Sequence, residues 1–380
     1  MKIGMISDTF LPQIGGAEIH VYRLSRTLRD LGHNVKIFTN TEGEWDVDGF
    51  KVIRNHTKKN TPLNMITDML NLRNFIKEID IAHCHYTFYL SFLTCPLAKM
   101  LRKPNVVTLH GLGTLDSSVG NSPRMKAYRL ISFKFADAII ATSSEMAEVA
   151  KRFVKKEKIY MIPNGVDTDY FKPSSIQNSK KYKIIILSMR RLNPKNGVQY
   201  LIEAIPYLIK EIGNEIEFWI AGRKKLEHYL RERVKELNIE KYVKFIGEIP
   251  HDKTKYYYDI ADIVVFPSSA ESTSLACLEA MAMEKAIVAS SLRAYKDLLG
   301  DNERGLLVKL FDRDYSDYNA PLTLPKDRIK SLADTISTLI QDEQLRKKLG
   351  KNARKYVVDT YDWKILGKKI IDVYDKVLSG

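Results

Sequence analysis

The sequence predicts an α/β protein made of two Rossmann-like, doubly wound domains, each built on a parallel sheet. Three observations carry this expectation. Short apolar strands alternate with helices along nearly all of the 380 residues. A polar stretch with Pro and Ser, Lys172-Pro-Ser-Ser-Ile-Gln-Asn-Ser-Lys180, interrupts the alternation near the middle. The same alternation then restarts, in a chain too long for one ordinary core.

The elements follow in order. Lys2–Ser7 is an apolar run short enough for a strand. Ala17–Leu31 reads as an amphipathic helix with Ile19, Leu24, Leu28 and Leu31 on its apolar stripe, closed by Gly32. Strands are expected at Asn34–Thr39, Ile79–Cys84, Asn105–Leu109, Asp137–Thr142 and Ile159–Ile162. After the polar linker, strands are expected at Ile184–Met189, Ile216–Ala221, Val243–Ile246, Ile263–Pro267 and Ala286–Ser290. Helices are expected at Gly197–Ile212, Glu227–Leu237, Ala276–Met283 and Trp363–Leu378. The domains would then be residues 1–173 and 174–363. Ligands of open parallel sheets sit beyond the carboxyl ends of the strands. Two such domains facing each other would form a cleft there.

Composition narrows the function. Hydrophobic residues at 44% and charged residues at 28% describe a globular protein. Cys84, Cys95 and Cys277 are far apart, which predicts a reducing, cytoplasmic setting and no disulfide frame. The chain opens directly on a strand, so no signal peptide is expected. Phe88–Met100 is apolar but short and contains Pro96, so it does not predict a membrane span. The net charge is +14. Residues 1–175 hold 24 basic and 17 acidic side chains and the remainder hold 36 and 29, so each part carries +7. An evenly spread excess argues against nucleic acid as the partner. It suits an anionic donor or peripheral contact with an anionic membrane face, and equally an ordinary lysine-rich surface.

The segment Glu271-Ser-Thr-Ser-Leu-Ala-Cys-Leu-Glu279 follows a strand and opens a helix. Ser272 and Thr273 are suitable N-caps. The backbone N–H groups at Thr273, Ser274 and Leu275 would face an anion at the positive end of the helix dipole. Glu279 lies about two turns on, where its carboxylate could take ribose hydroxyls, and Glu271 could grip a sugar. Two solvated surface glutamates would show the same spacing.

Five ordered segments give this pair a context. They are Ser7-Asp-Thr-Phe-Leu-Pro-Gln-Ile-Gly-Gly-Ala-Glu18, Ile162-Pro-Asn-Gly-Val-Asp-Thr-Asp-Tyr-Phe-Lys-Pro173, Ser188-Met-Arg-Arg-Leu192, Phe245-Ile-Gly-Glu-Ile-Pro-His251 and Ala261-Asp-Ile-Val-Val-Phe-Pro-Ser268. With Trp363 opening the last helix, they resemble the retaining glycosyltransferases called glycosyl transferases group 1, or glycosyltransferase family four. The resemblance spans nearly the whole chain. It implies a GT-B arrangement, with residues 364–380 crossing back to the first domain. It also implies hexosyl transfer from a nucleoside diphosphate sugar with retention, and no metal or other cofactor. By the same resemblance Gly15 and Gly16 lie against donor phosphate and acceptor, and Glu18 holds an acceptor hydroxyl. His110 contacts the donor sugar near the reacting carbon, Arg191 and a lysine hold the diphosphate, and the backbone at Ile249 reads the base. The leaving diphosphate gains charge as the glycosidic bond breaks, so something positive must meet it.

The sequence departs from the family in places. The usual lysine, five residues after the arginine, is Asn196 here, with Lys195 beside it. Lys195 could bend into that site, or Arg190 could share the load. Gly222-Arg-Lys-Lys225 replaces a glycine by charges that start an exposed helix or approach the nucleotide. The pairs Asp167/Asp169 and Asp312/Asp314 do not follow strands as a metal–diphosphate site would. No Walker lysine loop, G-x-S-x-G elbow or G-x-G-x-x-G loop is present. A sugar-nucleotide epimerase or hydrolase, and more distantly a basic nucleic-acid-binding protein, are the alternatives. The acceptor, whether lipid, glycan or small molecule, is not legible.

Overall fold

The computed structural model describes residues 1–13, 15–55, 62–111, 122–174 and 183–380. Ile14 of the glycine loop and residues 175–180 of the expected linker lie outside the described residues. The chain divides into two compact units, Met1–Gly165 with Trp363–Gly380, and Val166–Asp362.

Unit 1 holds an eight-stranded sheet. Its strands are β1 (Lys2–Ser7), β2 (Asn34–Thr39), β3 (Asp46–Val47), β4 (Phe50–Arg54), β5 (Ile81–His85), β6 (Asn105–Leu109), β7 (Ala138–Ala141) and β8 (Ile159–Met161), in the order β3-β4-β2-β1-β5-β6-β7-β8. All neighbours are parallel except the short β3–β4 pair. Helices α1 (Gly16–Asp30), α2 (Pro62–Lys77), α3 (Tyr89–Met100), α4 (Pro123–Phe135) and α5 (Ser144–Ala150) connect them. The central strands are buried on both faces, which is why they read as unbroken apolar runs.

The buried stripe of α1 is rotated from the expected one. Ala17, His20, Val21, Leu24 and Leu28 are buried, whereas Ile19 and Leu31 are half-buried. A histidine therefore occupies a core position.

Unit 2 holds a six-stranded parallel sheet of β9 (Ile184–Met189), β10 (Ile216–Ala221), β11 (Val243–Gly247), β12 (Ile263–Phe266), β13 (Ala286–Ser290) and β14 (Leu306–Val308), in the order β11-β10-β9-β12-β13-β14. Its helices are α6 (Val198–Ile212), α7 (Glu227–Glu236), α8 (Thr254–Ile260), α9 (Leu275–Ala282), α10 (Arg293–Leu299), α11 (Lys326–Gln341) and α12 (Glu343–Thr360). Strand order reverses between β9 and β12, the switch point at which such sheets bind ligands.

The boundary between the units falls earlier than the expected 173/174. The Val166 N–H donates to the Tyr361 carbonyl at 2.9 Å, and the Thr168 hydroxyl donates to Asp362. Phe171 is buried in the core of unit 2. These contacts give residues 166–173 to unit 2. The last helix, α13 (Trp363–Ser379), belongs to unit 1, as the resemblance implied. Trp363, Leu366, Ile370, Val373 and Tyr374 fill the same core as Val21, Leu24 and Leu28 of α1. A Cβ on Gly367 would stand 2.6 Å from Thr27 Cγ2, so α13 crosses α1 closely there.

Two glycines set the loop beyond β9. Gly222 has φ +130°, and a Cβ there would lie 1.9 Å from the Arg190 carbonyl oxygen. Gly197 has φ +72°, and its Cβ would lie 1.9 Å from the Pro267 carbonyl oxygen. Gly222→Ala is expected to destabilise by about 1–3 kcal/mol from backbone strain alone, and the clash adds to that. The check is a urea titration, where the midpoint should fall. An unchanged midpoint would mean that the Arg190 backbone yields freely.

Candidate active site

The carboxyl ends of β9 and β12 bring one group of side chains together in unit 2. Arg190 follows β9 and is nearly buried, with 9% of its side chain exposed. It pairs with Glu271, whose side chain is 14% exposed. Arg190 Nη1 donates to Ser274 Oγ at 2.8 Å, and Nη2 donates to Asn196 Oδ1 at 3.2 Å. The Asn196 amide in turn donates to the Arg191 carbonyl at 2.6 Å. Burial opposes both charges of the pair, but the partner prevails in each. Glu271 raises the Arg190 pKa, while Arg190 and then Lys195 hold the Glu271 carboxyl below its usual range.

Lys195 stands beside this pair. Burial lowers its pKa against the pull of Glu271, and Arg190 and Arg191 lower it further. Its ammonium lies 4.7 Å from the centre of the Tyr318 ring. Glu271 is pinned by a loop that sequence reasoning did not single out. Its N–H donates to Ser316 Oγ at 3.1 Å, and the Ser316 hydroxyl donates back to the Glu271 carbonyl at 2.7 Å.

The cap of α9 is Ser274, not Ser272 or Thr273. Ser274 is extended at φ −74°, ψ 105°, and its Oγ accepts from the Cys277 N–H at 3.3 Å. The helix starts at Leu275, so the cap must be the residue just before it. Thr273 is buried and Leu275 half-buried. The N-terminus of α9 thus opens beside Arg190 and Lys195, donors suited to a diphosphate, with the Glu271 carboxylate paired to Arg190.

Glu279 is nearly buried on the same helix. Its Oε1 is 3.0 Å from His251 Nε2, and its Oε2 is 3.2 Å from the Tyr258 hydroxyl. Ile249 lies between β11 and His251, half-buried against the same core. Arg191 reaches the group through its charge, which acts on Lys195. Its side chain is exposed, and its carbonyl serves Asn196. Arg190, not Arg191, pairs with Glu271. A signal existed in the sequence: Arg190 and Lys195 are themselves five apart, the family's usual arginine–lysine spacing moved back by one residue.

In unit 1, Gly15 caps α1 with extended backbone, and Gly16 is its first residue. Glu18 accepts from the Thr9 hydroxyl at 2.6 Å. His110 directly follows β6 and is partly exposed. It packs edge-to-face on His20 at 4.6 Å and stacks on His85 at 5.2 Å between ring centroids. Just past β1, Asp8 accepts from the Leu90 N–H at 3.2 Å and the Asn40 amide at 3.3 Å. Burial nevertheless pushes its carboxyl from 3.8 up to about 7. Between those values the folded chain keeps a proton that the unfolded chain has released. Stability from this group therefore falls as pH rises through that window, and the loss is complete above pH about 7. Asp8→Asn should gain on wild type between pH 5 and pH 8 in paired urea titrations. Parallel pH profiles for the two proteins would refute the buried, protonated carboxyl.

Residues 171–356 match the family "Glycosyl transferases group 1", and residues 14–170 match "Glycosyltransferase Family 4". The chain belongs to the group 1 glycosyltransferases. The phosphatidylinositol N-acetylglucosaminyltransferase GPI3 subunit of Saccharomyces cerevisiae is 25% identical over 403 aligned positions, covering 100% of this chain and 83% of the relative. Phosphatidyl-myo-inositol mannosyltransferase of Mycolicibacterium smegmatis is 25% identical, with 99% and 94% covered. Among solved structures, Anabaena HepE with UDP and glucose aligns at a TM-score of 0.80, 18% identity, and 99% and 100% coverage. Sucrose-phosphate synthase from Thermosynechococcus elongatus aligns at 0.76 and 22%, with 100% and 99% covered. The fold of this glycosyltransferase is accordingly of the GT-B class.

Arg223, Lys224 and Lys225 are exposed ahead of α7. Asp312 pairs with Arg328 at 2.6 Å, and Asp314 with Lys296 at 3.4 Å. The Tyr170 N–H donates to Asp167 at 3.0 Å, closing a turn. These carboxylates already have structural partners. Among the described residues, no helix is long and apolar enough to cross a membrane.

Proposed function

We propose that this glycosyltransferase moves a hexosyl unit from a UDP- or GDP-sugar to an acceptor hydroxyl with retention, without a metal at the diphosphate. The observation that carries the reading is the buried Arg190–Glu271 pair, with Ser274 and Lys195, at the opening of α9. Arg190, Lys195 and the N–H groups at Thr273–Leu275 supply the positive charge that a leaving diphosphate needs. Glu271 holds sugar hydroxyls and Glu279 the ribose. Ile249 backs the base, and His110 with Gly15 and Gly16 serves the reacting end. The departing phosphate takes the acceptor proton during same-face attack, so no enzyme carboxylate acts as nucleophile. The UDP and UDP-glucose complexes of HepE favour uridine.

The deciding experiment combines ligand-induced thermal shifts for UDP, GDP and ADP sugars with turnover in EDTA. A shift with one UDP- or GDP-sugar, and transfer that survives EDTA, are expected. Sugar release at full rate without acceptor would instead indicate a hydrolase.

The acceptor in this proposal is a lipid at a membrane face. The yeast and mycobacterial relatives carry a phosphatidylinositol in their names, and a third relative is alpha-monoglucosyldiacylglycerol synthase of Streptococcus pneumoniae. On α2, Met65, Ile66, Met69 and Leu70 are all exposed, at spacings that place them on one helix face. Flotation with anionic phospholipid vesicles should carry the chain upward, and Ile66→Glu with Leu70→Glu should leave it at the bottom. Equal flotation of both proteins would remove α2 as the contact.

A further inference from the structure

Four histidines pack together in unit 1: His20 on α1, His83 and His85 on β5, and His110 beyond β6. His83 is fully engaged. Its Nδ1 is 2.6 Å from the Tyr374 hydroxyl, and its Nε2 is 2.6 Å from Thr108 Oγ1. The other three present a different picture. One ring nitrogen from each of His20, His85 and His110 lies within 4.8 Å of those of the other two.

His20 is the most telling of them. It is 1% exposed, and its Nδ1 lies 2.8 Å from Asn164 Oδ1. An amide oxygen only accepts, so it fixes the proton on Nδ1 and leaves a lone pair on Nε2. That Nε2 is buried and has no hydrogen-bond partner among the described residues. His85 Nδ1 is 3.0 Å from His110 Nε2, while His85 Nε2 faces Met5 Sδ at 3.5 Å. Burial lowers the pKa of all three rings. Neutral imidazole is the form that binds metal.

We propose that His20, His85 and His110 form a three-histidine site for a borderline divalent transition metal of the zinc type. Nitrogens around tetrahedral zinc stand roughly 3.3–3.4 Å apart, given Zn–N bonds of about 2.0–2.1 Å. The His85–His110 pair is slightly closer than that, and the three nitrogens together lie within 4.8 Å, so the rings close in on the metal when it binds. Asn164 on the far nitrogen of His20 is the outer support that orients a metal-binding imidazole. An all-imidazole set selects zinc, nickel or copper over magnesium, manganese or calcium. Three ligands leave a fourth position for water or a substrate oxygen. This site lies wholly in unit 1.

The test uses the untagged full chain, stripped with EDTA and dialysed against micromolar Zn²⁺ or Mg²⁺. Bound metal is measured by mass spectrometry, and the thermal midpoint is recorded. One equivalent of zinc and a raised midpoint are expected, with neither effect from magnesium. His20→Gln and His110→Gln should each lose the retained zinc, and Asn164→Ala should weaken binding about 10–100-fold. His228→Gln, at an exposed histidine on α7, should behave as wild type. His110 is partly exposed, so H110Q decides the matter if H20Q fails to fold. No zinc on the wild-type chain, or full zinc on H110Q, overturns the proposal. Zinc should also slow transfer. That last effect rests on the proposed role of His110, whereas zinc retention does not.

Discussion

Arg190→Ala should abolish transfer and cost about 3–5 kcal/mol of stability, because it leaves the nearly buried Glu271 carboxylate without its counter-charge. The two losses have separate readouts, an initial rate with donor and acceptor and a urea midpoint. Removing Glu271 as well should restore part of the stability and none of the activity. The pH dependence carries a sign. Glu271 is held below its usual range in the wild type, so the pair's contribution is present above the unfolded glutamate pKa and is lost as pH falls through the folded one. Without Arg190, burial, already the largest single influence, loses its main opponent and raises the Glu271 pKa, so R190A should recover relative to wild type as pH drops toward 5. Arg191→Ala, at an exposed side chain, should leave the midpoint unchanged. Wild-type turnover and stability in R190A would remove this pair from the site.

Lys195→Ala should lower turnover about 10²–10³-fold, the usual cost of losing one preorganised charge at a developing anion. Its fold should survive, since burial already disfavours the ammonium. Asn196→Lys sharpens the point. It restores a lysine at the family's usual place, five residues after Arg191. Asn196, however, is 4% exposed and bridges Arg190 to the Arg191 carbonyl. A lysine there would bury a cation against Arg190 and break both hydrogen bonds. The variant should unfold at lower urea and fail to rescue K195A. Rescue would show that the register runs through Arg191 after all.

These two experiments separate what was legible in the sequence from what was not. Strands buried on both faces, such as β1, β6 and β13, read directly as short apolar runs, and their ends fall where expected. The β3–β4 pair and β14 did not, being two to five residues long and partly polar or half-buried. Glu271 and Glu279 were legible because a strand, a cap and a helix frame them. The choice between Arg190 and Arg191 was not. Both follow the last residue of β9, where strand alternation ends and the loop decides which side chain turns inward. The cap was ambiguous for a related reason: Ser272, Thr273 and Ser274 are all competent, and only the first turn of α9 selects among them. His20 was missed because the stripe of α1 was traced through apolar residues alone.

The placement of α13 has a consequence for how the chain is made. On a ribosome, residues 1–165 emerge first, but the core they form lacks Trp363, Leu366, Ile370 and Tyr374. The Tyr374 hydroxyl that meets His83 is absent as well. Synthesis of the remaining chain takes about 10–40 s at usual elongation rates. Throughout that interval the nascent first domain exposes the groove that α13 will fill, whereas the second domain needs no residue beyond Asp362. A stop codon just before Trp363 would therefore spare the later-made domain and cripple the one synthesised first.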